Sequence, residues 1–514
     1  MNPKSHVKAP TKASVTFFQL FRYATTKEIL LMCFASVFGL IAGVGLPLFS
    51  LVFGNLTNSL APPASGFSST NTSSNSSSSA PTHNPKIIDQ ASEYSSYFVY
   101  IGIGVCICNF ISMGVFLNVS EKVSGRIRKA YFEALLKQEI GWFDVLNPNE
   151  LASKVSIETY TIQQGIGDKI PTFLMAFCTI VSGFIMGFAR GWQLTLVLCG
   201  ALPFLSVAGG LYAWVLTNIK KKTNEAYISS SAMAEESLNA IKTVKSLSGE
   251  DFEMNKFAFE LKKANKITIK YGILVGFAIG FMYFVIFSNY GLALWFGSIT
   301  IEERWYNEVT GSVYDVGNVI TVFFSVMIGS VFLAQLAPPL KAFTSAKQAA
   351  ANVFYTIDRI PKILINDKNK KIVEKLQGDI EFKDIEFAYP TREAVDVLKK
   401  ISFKIGKNQK TAFVGESGSG KSTIVALIER FYDPTSGIIL VDGLDLKQYN
   451  LNSLRKNIGY VGQEPVLFSG TVKENLLFGK EDATDEEIIQ ALNKANAFDF
   501  VNKLQNKIDT FIGI

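Results

Sequence analysis

The chain lacks charge where it is richest in apolar residues. No Asp, Glu, Lys or Arg occurs in 29–60, 94–120, 170–189, 191–219, 271–301 or 316–340. Charged residues make up 18% of the 514, below the roughly 25% typical of soluble domains, and mean hydropathy is +0.23. Both values point to a membrane component. Histidine is scarce: only His6 and His83 occur, both in polar segments, and neither is a catalytic candidate. Cys33, Cys106, Cys108, Cys178 and Cys199 all lie inside apolar runs. Their spacing fits no zinc or C-x-x-C motif, so they are expected to pack helices rather than to bind metal or form disulfides. The first 28 residues are polar and basic without a long apolar core, so no secretory signal is read there. The net charge of +6 gives no electrostatic case for nucleic acid as a partner.

What is present begins with the apolar runs. About 20 apolar residues cross a bilayer as a helix. Six spans are expected, at about 29–56, 94–118, 170–189, 191–217, 271–298 and 316–340, within a transmembrane domain over 29–345. An even number puts both ends on one side of the lipid membrane. Lys4, Lys8, Lys12, Arg22 and Lys27 precede the first span. Six basic residues from Lys122 to Lys154 and nine from Lys220 to Lys266 lie in the two long loops, whereas the opposite loops hold only Lys86, Arg190 and Arg304. The positive-inside rule then places the 1–28 segment, both long loops and the C-terminal region in the cytosol. The plasma membrane is favoured over an internal one. The long loops contain KVSGRIRKAYFEALLKQEIGWF and AYISSSAMAEESLNAIKTVKSLS, which have good helix formers and an apolar face. They are expected to continue the membrane helices outward and turn back. The 57–92 loop carries GFSSTNTSSNSSSSAP, too polar to bury a core. Asn71 and Asn75 there are candidate glycosylation sites on the non-cytosolic side.

A second feature follows these runs. Residues 415–423 read GESGSGKST, which fits G-x-x-x-x-G-K-[ST]. Such a loop turns its backbone N–H groups toward one point at a helix N-terminus and so cradles phosphate. The candidate nucleotide ligands are Gly415, Glu416, Ser417, Gly418, Ser419, Gly420, Lys421, Ser422 and Thr423. Lys421 is expected on the β- and γ-phosphates and Ser422 on Mg²⁺. The setting agrees: Thr411–Val414 is an apolar run suited to a buried strand, and Ile424, Leu427, Ile428 and Phe431 recur at helical spacing. A linker is expected over 346–377 and the nucleotide-binding domain from 378 to 514.

Several tracts together resemble an ATP-binding-cassette exporter of the multidrug-resistance P-glycoprotein type, in the B subfamily. They are QEIGWFD at 138–144, GIGDKI at 165–170, AEESLNAIKTV at 234–244, TVFFSVMIGS at 321–330, FAYPTR at 387–392, the P-loop, and YVGQEPVLFSGTVKENLLFG at 460–479. The resemblance implies a type I exporter fold: an α-helical six-span transmembrane domain with long cytosolic helical loops and an amphipathic N-terminal elbow, followed by an α/β P-loop nucleotide-binding domain. It implies that Tyr389 stacks on adenine. It also implies that Gln463 approaches Mg²⁺ and the attacking water, and that parts of 155–168 and 238–248 are coupling helices that dock on nucleotide-binding domains. The family's LSGGQ signature, Walker B acids and switch histidine are not found after Gln463, so the nucleotide-binding domain is expected to be incomplete here. The 514 residues alone are expected to hydrolyse ATP weakly or not at all. A second transporter half or nucleotide-binding domain is the implied partner.

The cargo is bounded by the spans. Tyr283, Tyr290, Phe324 and Gln335 are candidate pathway residues, with Asn109 and Asn289 as further polar groups among many phenylalanines. An uncharged aromatic path suits lipophilic small molecules or lipids. Three functions stay open on the sequence. One is ATP-driven export of apolar or amphipathic compounds. The second is a truncated, non-transporting chain that binds nucleotide or a partner. The third is an ATP-gated channel, against which the charge-free spans speak.

Overall fold

The computed structural model describes residues 15–60, 85–146, 148–307, 309, 311–365, 367, 369–463 and 465–513. They fall into two units, Met1–Leu136 with Leu146–Ile360 and Lys137–Val145 with Pro361–Ile514. Asn71 and Asn75 lie outside the described residues.

The first unit is helical. Long apolar runs have no water to satisfy backbone N–H and C=O groups, so each run must pair them internally as helix. Its main helices are α1 (Thr26–Leu60) and α2 (Pro85–Leu136). After a short α3 (Ile140–Val145), which belongs to the second unit, come α4 (Pro148–Ile166), α5 (Lys169–Asn239), α6 (Ile241–Ser246), α7 (Glu250–Glu302), α8 (Val316–Gln335) and α9 (Ala337–Asp358). Local chemistry sets the ends. Thr25 and Glu28 cap the start of α1 reciprocally, the Thr25 N–H donating to the Glu28 carboxylate at 2.8 Å. Asp315 accepts from the Asn318 N–H at 2.6 Å to open α8. Pro338 sits in the first turn of α9, where its missing N–H costs nothing.

Five helical stretches among the described residues are long and apolar enough to cross a membrane. One of them carries two of the six apolar runs, because α5 passes through an extended residue at Gly191 (φ −176°, ψ 83°). A Cβ there would stand 2.8 Å from Tyr314 Cε1 and 3.0 Å from Val322 Cγ2. The helix is thus broken at a glycine where a side chain would press on Tyr314 and Val322, beside Arg190. A β-hairpin, β1 (Tyr306–Asn307) with β2 (Ser312–Val313), links α7 to α8. Leu194, Leu198, Ala293, Val319, Val322 and Val326 form the nearby core. Helices α2, α5 and α7, of 52, 71 and 53 residues, far exceed a single crossing. Residues of the two long loops thus extend the membrane helices. Helix α9 carries regular structure to Asp358, into the stretch expected as a linker.

The second unit is a small α/β body. Strands β3 (Ile380–Phe387), β4 (Leu398–Ile405), β5 (Ser436–Val441) and β6 (Leu444–Asp445) form an antiparallel sheet in the order β4-β3-β5-β6. Phe382, Ile385, Leu427 and Ile439 fill its core. Helix α10 (Lys421–Ile428) follows the P-loop and buries Thr423, Ile424 and Leu427. The expected strand over Thr411–Val414 is not formed, and Val414 is 93% exposed. A strand exists only as part of a ladder, and no described strand pairs with this segment. The acidic cluster at 482–487 is a helix start, as its composition suggests: Thr484 and Glu487 form a capping box for Asp485–Lys494.

Candidate nucleotide-binding site

The P-loop leaves an unpaired apolar segment and ends at α10. Gly418 and Gly420 have φ of +86° and +90°, a left-handed conformation open to glycine at little cost. These two turns bend the loop around the start of the helix. Glu416, Ser417, Gly418 and Ser419 are exposed, as is Ser422 one residue into α10. A Cβ at Gly418 would meet nothing within 4 Å, so the mouth of the cradle is open.

Lys421 is turned back on its own loop. Its ammonium donates to Gly415 O at 2.9 Å and Glu416 O at 2.6 Å. The cation thus sits where the loop converges, held by neutral carbonyls. Thr423 is buried, and its hydroxyl shares a 2.9 Å hydrogen bond with the Tyr389 hydroxyl. The structure therefore brings Tyr389 to the P-loop. Gln463 is exposed in an irregular segment, and no hydrogen bond joins it to the loop among the described residues. No cluster of three metal-ligating acids, cysteines or histidines occurs among the described residues. A cation here would need phosphate oxygens beside the Ser422 hydroxyl. The Lys421 ammonium folded onto the loop and the exposed Ser422 at the start of α10 are groups that fit a magnesium-bound polyphosphate.

An aromatic group extends the site. Tyr389 packs edge-on against Tyr432 at 5.3 Å and against Phe387 at 5.0 Å. The Tyr432 hydroxyl donates to Asp144 Oδ2 of α3 at 2.6 Å. Burial, then the bond and charge of Asp144, push the Tyr432 hydroxyl well above the ordinary tyrosine range. On the same helix, a Cβ at Gly141 would stand 3.1 Å from Pro390 Cγ. The Lys362 N–H donates to Glu139 at 3.2 Å. Segment 137–145 therefore belongs to the nucleotide-binding unit, while α4 (Pro148–Ile166), which holds most of the 155–168 stretch, belongs to the first unit. Residues 138–144 were visible in the sequence only as a family tract. The 238–248 stretch holds α6, whose six residues are not buried.

The candidate pathway residues are brought together only in part. Tyr290 packs edge-on against Phe323 at 5.3 Å, Phe323 against Phe324 at 5.0 Å, and Phe324 against Phe53 of α1 at 5.4 Å. Tyr283 is 56% exposed outside this group, and Gln335 is the exposed last residue of α8.

Comparison with known proteins agrees with both units. Residues 32–331 match the ABC transporter transmembrane region, and residues 398–511 match the ABC transporter family. ABC transporter B family member 2 of Dictyostelium discoideum is 39% identical over 500 residues, covering 97% of this chain and 35% of that protein. ABC transporter B family member 21 of Arabidopsis thaliana is 34% identical over 501 residues, covering 97% of this chain and 37% of that protein. The chain thus spans about a third of the length of these relatives. A multi-pass membrane region joined to an ATP-binding domain, matched along its length by B family members, places the chain in the ABC transporter family.

Proposed function

We propose that this chain supplies one membrane domain and one phosphate-binding face of an ATP-driven exporter for apolar or amphipathic compounds. The observation that carries this is the meeting of Tyr389, Thr423 and the Lys421-bearing loop in a chain with six charge-free spans. Helix α10 and the loop N–H groups bind the phosphates, Lys421 neutralises them, and Ser422 orients toward Mg²⁺. Tyr389 offers its ring to the base, and Gln463 serves the metal and water side. The bound nucleotide supplies the phosphoryl bond whose loss drives the cycle. A second transporter half completes the site, and the N-terminus, α6 and the P-loop are cytosolic.

The aromatic group of Phe53, Tyr290, Phe323 and Phe324 supports a lipophilic cargo, because it offers rings and no charge along α1, α7 and α8. Co-expression with a second half, followed by ATP-dependent dye uptake into inside-out vesicles, tests the proposal. Uptake lost in Lys421→Ala supports it. Uptake that persists without ATP, or is indifferent to Lys421, overturns it.

A further inference from the structure

We propose that α7, where it enters its charge-free run beside α5, is a docking site for a phospholipid whose head group carries net negative charge. Two lysine clusters and one apolar groove meet there. On α5 the tract KKK at 220–222 directly follows the charge-free run 191–219, and Glu225 is the one acid between 191 and 234. On α7, Lys262, Lys263, Lys266 and Lys270 precede the charge-free run 271–301, with no acid between 261 and 270.

Two hydrogen bonds put both clusters at one level. The Tyr227 hydroxyl of α5 donates to Asn265 Oδ1 of α7 at 3.3 Å, and Ser237 Oγ donates to Glu253 Oε2 at 2.7 Å. The two helices therefore run antiparallel here. Lys222 lies five residues before Tyr227, and Lys270 lies five residues after Asn265. Each stands about 7.5 Å nearer the spans than that bond. Lys263 is paired with Glu260 at 2.6 Å. Lys222, Lys266 and Lys270 are exposed and carry no ion pair among the described residues. Cations gathered without counter-charge at the edge of two spans call for an anion.

The groove decides what carries that anion. Lys270, Tyr271, Ile273, Leu274 and Phe277 line a groove of about 310 Å³ along α7. Lys270, Leu274 and Phe277 recur at helical spacing on one face, and Lys266 extends it by one turn. Ile273 and Phe277 are 72% and 67% exposed. The stripe is thus cationic at one end and aliphatic and aromatic at the other, inside the charge-free run. A phospholipid has the same polarity along its length. Its phosphate meets Lys266 and Lys270, whose stems lie along the helix while the ammonium groups stay at head-group level. An acyl chain covers Leu274 and Phe277. A free phosphate would leave the groove empty, and a choline head group would bring its own cation among the lysines. The lipid is here a bound partner of the helix surface rather than cargo, and the inference rests neither on transport nor on the P-loop.

The test is photolabelling of the full chain in phosphatidylcholine nanodiscs. They carry a trace of phosphatidylglycerol with a diazirine in its acyl chain or, in parallel, the matching phosphatidylcholine probe. Labelled peptides are mapped by mass spectrometry. On 271–280 the phosphatidylglycerol probe is expected to label about five- to thirtyfold more, one or two lysines contributing roughly fivefold each. Lys266→Gln with Lys270→Gln should bring that label down to the phosphatidylcholine level, and Lys266→Arg with Lys270→Arg should keep it. Lys256→Gln with Lys375→Gln removes the same charge away from the stripe and should leave it unchanged. An unaltered melting temperature reports that each variant is folded, and the comparison of the two probes needs no variant. Equal labelling by both probes in the unaltered chain overturns the proposal, as does an equal loss in the stripe and control variants. Loss of the excess label to inorganic phosphate, but not to chloride at the same ionic strength, assigns the lysines to free phosphate and overturns it too.

Discussion

Removing the acceptor that faces Tyr432 tests how α3 is held. In Asp144→Ala the Tyr432 hydroxyl loses a 2.6 Å bond to a carboxylate. Bonds to charged groups contribute about 1.5–3 kcal/mol. Asp144 is exposed, so screening by solvent places the expected loss at about 1–2 kcal/mol. That is roughly a 5- to 30-fold rise in the fraction of chains with α3 open. Hydrogen exchange across 137–145, corrected for intrinsic rates, reads this population directly. Tyr432→Phe should show a similar loss, because its ring still fills the contact with Tyr389 while the donor is gone. The effect has a pH signature. Burial and Asp144 raise the Tyr432 pKa in the folded chain, so the neutral phenol is the favoured form. Its contribution is complete below the ordinary tyrosine value of about 10 and is lost as pH rises through the raised folded value. Protection of α3 should therefore be flat from pH 7 to about 9 and fall only in stronger alkali, and Tyr432→Phe should lack that alkaline fall. Equal protection in all three proteins would refute the assignment of α3 to this contact.

Further outcomes are expected elsewhere. Lys421→Ala should weaken binding of a fluorescent ATP analogue by tenfold or more, measured by titration of the purified chain, since each charge-assisted phosphate bond contributes about 1.5–3 kcal/mol. In Gly54→Val the new side chain starts with a Cβ 1.9 Å from Thr321 Oγ1 and 2.5 Å from Gly317 O. Forcing α1 from α8 should cost about 1–3 kcal/mol and lower the melting temperature; an unchanged melt contradicts the packing. Burial raises the Glu158 pKa, and its Oε2 is buried without a partner among the described residues. Its ionised form is therefore disfavoured in the folded chain, and stability falls as pH rises from the unfolded value toward the folded one. Glu158→Gln should melt higher than the unaltered chain at pH 7.5 and lose that advantage near pH 4.

The features legible in the sequence were those fixed by neighbours along the chain. The charge-free runs and the P-loop depend on local composition and spacing, and helix 421–428 with its buried Ile424 and Leu427 follows the apolar period directly. Features that depend on a distant partner were not legible. Thr411–Val414 has strand composition, but strand structure requires a neighbour that pairs with it. The break at Gly191 was marked by Arg190, yet its cause is the approach of Tyr314 and Val322 from more than a hundred residues away. Segment 137–145 reads like the rest of a helical loop. Only the Asp144–Tyr432 bond and the closeness of Gly141 to Pro390 show which unit it serves. Tyr389 could be tied to the P-loop only by resemblance, whereas the hydroxyl bond to Thr423 places it there by geometry.

The folded-back Lys421 has a consequence for selectivity. Its ammonium already has two carbonyl acceptors, so an incoming molecule competes with the protein itself for that cation. An anionic oxygen adds charge–charge attraction to the ammonium that a neutral carbonyl lacks. A nucleoside, which brings no anionic oxygen, cannot outbid the loop. A monophosphate, reaching only part of the cradle, gains little by displacing it. A triphosphate offers several anionic oxygens at once and wins the exchange. The loop thus favours ligands by the number of anionic oxygens they bring to Lys421.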